Sequence, residues 1–92
     1  MRRHENTWHR IVKKTESVGY PLPGVPLVEL AGDGRVLIEN HHGVTELTKQ
    51  MVCVRVKYGS VIICGNALEI SFMSKQLMII KGQIDMIRVE RS

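Results

Sequence analysis

The residues best placed to do chemistry in this 92-residue chain are Asn40-His41-His42-Gly43 and the two cysteines, Cys53 and Cys64. Two imidazoles and two thiolates would make a tetrahedral set for zinc or iron. Neighbouring residues of an extended chain face opposite sides, however, so His41 and His42 diverge unless a turn curls them together. Neither a histidine pair four residues apart nor a Cys-x-x-Cys accompanies them. The favoured reading is a polar loop of unknown role, closed by a turn glycine, with no metal and no cofactor.

Nucleophilic catalysis needs a nucleophile beside a base that is itself oriented. Ser17, Ser60, Ser71, Ser74 and Ser92 fall in turns, at strand ends or at the terminus, with no strand-turn-helix elbow around them. The acidic residues fall singly, as solvent-facing strand positions do. Gly32-x-Gly34 sits between two strand-like runs instead of ahead of a helix, so it does not read as a phosphate loop. The expectation is a protein without catalytic residues.

Charge is distributed unevenly. The formal net charge is +4, and residues 1–14 account for it, with Arg2, Arg3, Arg10, Lys13 and Lys14 against Glu5. Together with Trp8 these cations could lie on an anionic membrane face or on a partner protein. A basic arm that grips nucleic acid is the alternative. It is disfavoured because the remaining chain is neutral and lacks the aromatic platform on which single-strand binders stack bases.

These residues need elements to hold them. Residues 1–19 read as a basic amphipathic helix: Asn6 or Thr7 suits the N-cap, Trp8, Ile11 and Val12 share a face, and Gly19 suits the C′ position. Residues 20–26 carry three prolines and form an extended connector. From Leu27 the period becomes two, giving an all-β domain over residues 27–92. Val52, Val54 and Val56 share one face of the clearest strand, with Cys53, Arg55 and Lys57 on the other. Gly59-Ser60 suits a two-residue hairpin turn, a register that sets Arg55 opposite Cys64 and Cys53 opposite Asn66. The cysteines are then diagonal neighbours, reduced and packed in a cytosolic compartment. Further breaks are expected at Gly65-Asn66, Ser74-Lys75 and Gly82.

The predicted fold class is therefore mainly β. It is a small antiparallel meander, sandwich or β-roll of about six to seven short strands, preceded by one short N-terminal helix. Val54-x-Val56-x-x-Gly59-x-Val61 echoes Leu77-x-Ile79-x-x-Gly82-x-Ile84 at an offset of 23 residues, which suggests two similar hairpins or two turns of a roll. Apolar residues form 43% of the chain and charged ones 24%, an ordinary globular balance. No apolar run reaches the roughly 18 residues of a membrane span, and no secretory signal is expected. Unpaired strand edges invite a second copy, so a homo-oligomer is plausible.

With these residues in view, the run Pro26-Leu-Val-Glu-Leu-Ala-Gly-Asp-Gly-Arg-Val-Leu-Ile-Glu-Asn-His-His-Gly-Val44 resembles the entry to the YqfC-like sporulation proteins of the YabP/YqfC family. Val54-Arg-Val-Lys-Tyr-Gly-Ser-Val-Ile-Ile-Cys-Gly-Asn-Ala-Leu-Glu-Ile70 and Leu77-Met-Ile-Ile-Lys-Gly-Gln-Ile84 continue the match, which covers about residues 20–89. The resemblance implies a cytoplasmic protein of the mother cell in endospore-forming bacteria, needed for later stages of spore formation. It also implies a sporulation membrane protein as partner, which would give the basic helix a destination. It carries over no activity, cofactor or catalytic residue.

Overall fold

The computed structural model describes residues 24–32 and 34–92. The expected helix over residues 1–19, and most of the proline-rich connector, lie outside the described residues. Six strands follow: β1 (Leu27–Ala31), β2 (Arg35–Glu39), β3 (Val44–Leu47), β4 (Met51–Val56), β5 (Gly59–Met73) and β6 (Leu77–Arg91). They form one antiparallel sheet in the order β1-β2-β6-β5-β4-β3.

Period-two alternation decides which face turns inward. In β4, Val52, Val54 and Val56 are buried while Arg55 is exposed; in β2, Val36 and Ile38 are buried while Arg35 is exposed. A flat sheet could not bring these two sets together, because β6 and β5 separate their strands. The two 15-residue strands solve this by serving two layers each. Residues 77–81 of β6 pair with β2, whereas residues 59–64 of β5 pair with β4. Between these parts the β5–β6 ladder shifts register at Cys64/Gly65 and again at Asn66/Glu69. Such bulges bend a strand and increase its twist. The sheet therefore folds over itself. Val36, Ile38, Leu68, Met78 and Ile80 of one layer meet Val52, Val54, Val56, Val61 and Ile63 of the other in a single aliphatic cluster. Each such side chain contributes roughly 1.5–3 kcal/mol when fully buried.

The fold needs glycine where it bends. A Cβ on Gly65 would stand 1.8 Å from the Gln83 carbonyl oxygen, and one on Gly82 would stand 2.6 Å from that of Ala67. Gly82 also has φ +142°, and Ala67, beside the same bend, has φ +54°. Two of the expected breaks, Gly65-Asn66 and Gly82, are thus kinks inside continuous strands and not turns. That is why the chain has two long strands in place of several short ones. The third break is a real turn: Ser74 N–H donates to the Leu77 carbonyl at 2.7 Å, and Leu77 N–H donates to Ser74 Oγ at 3.0 Å.

The β4–β5 hairpin also differs from expectation. Its turn residues are Lys57 and Tyr58, and Gly59 opens β5 opposite Val56. Gly59 is required there for proximity, since its Cβ would meet the Glu90 carbonyl oxygen at 2.0 Å. Arg55 consequently faces Ser60 and Cys53 faces Ile62, not Cys64 and Asn66. The cysteines remain diagonal neighbours, because Cys64 faces Met51, two positions along β4. The internal echo is not a repeated hairpin. Its first copy spans the β4–β5 turn and its second lies within β6.

Candidate functional site

The loop Asn40–Gly43 joins β2 to β3 and bridges the two layers. Asn40 tolerates the left-handed conformation better than most residues and adopts φ +64°. From there its N–H donates to the Gln76 carbonyl at 2.6 Å and its side-chain Nδ2 donates to the Val25 carbonyl at 2.8 Å. His41 follows, only 8% exposed, and is the one buried polar or charged residue among the described residues. Gly43 N–H donates to its Nδ1 at 3.0 Å, so Nδ1 must carry the lone pair. The proton of the neutral ring then sits on Nε2, which donates to the Ser74 carbonyl at 2.9 Å. One imidazole thus fixes its own loop and the β5–β6 turn. His42 is exposed, and its N–H donates to the Arg55 carbonyl at 2.7 Å. Arg55 N–H returns the bond to the Gly43 carbonyl at 2.8 Å.

The histidines therefore diverge, one inward and one outward. Both ring nitrogens of His41 are engaged by backbone groups, so its arrangement is that of a structural clamp. Among the described residues no three His, Cys, Asp or Glu side chains gather in a way that could hold a metal ion. Cys53 and Cys64 are free thiols, partly buried on the outward side of β4 and β5. Burial holds the Cys53 thiol above its ordinary pKa, and Glu46 and Cys64 push it the same way. Its Sγ lies 4.0 Å from Glu46 Oε1. A thiol in that setting is a poor nucleophile at neutral pH.

The remaining surface is notable for apolar side chains at its margins. Leu30 on β1, Leu47 on β3, Phe72 and Met73 on β5, and Met86 and Val89 on β6 are all exposed. Phe72 stands opposite Ile79, which stands opposite Leu37, so an apolar row crosses the outward side of the first layer. Val89 continues the inward row of Val54 and Val61, yet it is 60% exposed where they are buried. It lines a groove of about 340 Å³ with Val25, Pro26, Val28, Val56, Tyr58, Val61 and Arg91. Lys57 and Arg91 each lie near the Tyr58 ring, at 5.8 and 5.9 Å from its centre.

The edges of the sheet are equally uneven. β2 covers only residues 77–81 of β6. Among the described residues no strand pairs with the far side of β6 beyond that stretch. Sequence reasoning foresaw open edges in general, but the strand concerned could not be found without knowing that β6 runs through Gly82. The cations and aromatic proposed as a contact surface, Arg2, Arg3, Trp8, Arg10, Lys13 and Lys14, lie outside the described residues. No helix among the described residues is long and apolar enough to cross a membrane.

Among the described residues one folded antiparallel sheet emerges, with a histidine clamp at its layer junction and a β6 edge beyond residue 81 that no described strand covers. The YabP family model matches residues 25–92, nearly all of this sheet, and the chain belongs to that family. No curated protein and no solved structure gives a significant match.

Proposed function

We propose that this protein is a non-enzymatic interaction module of endospore formation, acting in the mother cell by self-association or by binding a membrane-protein partner. Family membership supports the setting, since the YqfC-like proteins that the chain resembles serve sporulation. The observation that carries the mode of action is the placement of apolar side chains on open strand margins, with Val89 at 60% exposed as the extreme. Exposed apolar positions that continue a core row mark a surface completed by another chain. His41, the residue most suggestive of chemistry, is engaged in holding two backbone segments.

The test is genetic and biochemical together. Deleting the gene in a spore-forming host should reduce heat-resistant spores by orders of magnitude. Site-directed crosslinking in sporulating cells should trap the chain with itself or with an integral membrane protein. Normal spore yield after deletion, or crosslinks to nucleic acid alone, would contradict the proposal.

A further inference from the structure

We infer that two copies of this chain associate through residues 86–91 of β6, paired antiparallel about a two-fold axis at Val89, so that one continuous sheet runs through both. The inference rests on the interaction reading above and specifies its partner and surface.

Three observations select this edge over the others. β3 is short, with a register shift in its pairing to β4, and the free side of β5 carries the shifts around Asn66 and Ile70; irregular edges of this kind resist pairing. Residues 86–91, by contrast, run in unbroken register with residues 59–64 of β5. Their inward row runs Ile87, Val89 and Arg91, and Val89 is 60% exposed at the margin between the other two. Finally, the outward row carries charges that complement themselves.

A two-fold pairing is isologous, so each residue must suit its own mirror position. With Val89 opposite the second copy's Val89, Arg88 faces Glu90 and Glu90 faces Arg88, giving two opposite-charge pairs. These side chains are already 3.0 Å apart within one strand, and both are about half exposed, free to form a four-membered alternating network. Centring the axis on Arg88 would set the two guanidiniums against each other. Centring it on Ile87 would leave Arg88 facing Met86. Directly opposed like charges destabilise a strand pair, and opposed unlike charges stabilise it. The Val89-centred arrangement pairs each Arg88 with the second copy's Glu90, sets Arg91 opposite the second copy's Ile87 and stacks the exposed valines on the inward side.

β1 offers a regular edge too, but self-pairing about its middle residue would oppose two copies of Glu29. That edge lacks the complementarity of β6.

The test uses the full chain with Cys53 and Cys64 replaced by alanine. Residues facing each other across antiparallel strands have Cα atoms about 4.5–5.5 Å apart. That lies within the roughly 4.4–6.8 Å range of a disulfide. The Val89→Cys variant should therefore crosslink to a covalent dimer in a mild thiol–disulfide buffer. Met86→Cys should not, because its two copies would be six positions out of register, about 20 Å apart. In the native-cysteine chain, Glu90→Arg should weaken dimerisation at least tenfold, and adding Arg88→Glu should restore it. A self-associating chain whose Val89→Cys variant stays unlinked, and whose charge variants dimerise normally, would overturn this edge while leaving self-association intact. A wild-type chain that stays monomeric would overturn both. Occupation of the edge by another segment of the same chain would leave the Val89→Cys variant monomeric and unlinked, which also overturns the inference.

Discussion

Gly65 and Gln83 approach so closely that a Cβ on the glycine would lie 1.8 Å from the Gln83 carbonyl oxygen and 2.9 Å from its carbonyl carbon. This contact is where the sheet turns back on itself. The obstacle is backbone, so no side-chain rotation can relieve it. Gly65→Ala should therefore destabilise the protein by more than about 3 kcal/mol, in the tail of the usual mutational range. A urea titration would check this. Wild-type stability in Gly65→Ala would mean that the bend tolerates a side chain and that the two layers are joined differently.

His41 holds two backbone groups, the Gly43 N–H and the Ser74 carbonyl. His41→Phe keeps much of the ring volume but leaves Gly43 N–H and the Ser74 carbonyl unpaired near the layer junction. An unsatisfied buried polar group costs about 1–3 kcal/mol, so a loss of roughly 2–4 kcal/mol is expected. Hydrogen exchange should show faster exchange at Gly43 in particular. Uniform acceleration across all strands, with no excess at Gly43, would contradict the clamp.

Asn40 separates conformation from hydrogen bonding. Asn40→Gly keeps the positive φ freely but loses the bond to Val25; Asn40→Ala loses the bond and strains the backbone by roughly 1–2 kcal/mol. Alanine should be the more destabilising substitution, a reversal of the usual order for ordinary backbone. Thermal melts of the two variants would decide it, and equal melting temperatures would argue against the strained turn.

The fold class was legible because burial alternates so regularly: β2 and β4 place the valines and isoleucine inward as their period requires. The loop at Asn40–Gly43 was legible as a loop, but its role was not. The partner of His41 is Ser74, 33 residues away, and nothing local encodes that contact. Gly59, Gly65 and Gly82 were misread for one shared reason. Glycine serves a turn and a close backbone approach equally well, and only the neighbouring strand distinguishes them. Cys64 is diagonal to Cys53 both in the observed register and in the one that a Gly59-Ser60 turn would set, so the diagonal relation does not depend on which is formed.

Cys53 supplies a pH prediction. Burial raises its pKa in the folded chain, so the folded state keeps the thiol proton at an alkaline pH where the unfolded chain has released it. Stability should be unaffected at neutral pH and should fall as pH rises above the ordinary thiol value of about 8.5. Cys53→Ala should flatten that slope. Denaturant titrations between neutral and strongly alkaline pH would show it, and an identical slope in both proteins would contradict the assignment.

Sedimentation of the full-length chain across a wide concentration series tests the central claim most directly. The account predicts a concentration-dependent rise from the 10.4 kDa protomer toward twice that mass, abolished by Val89→Lys. A single 10.4 kDa species at every concentration, or unchanged association in Val89→Lys, would contradict it.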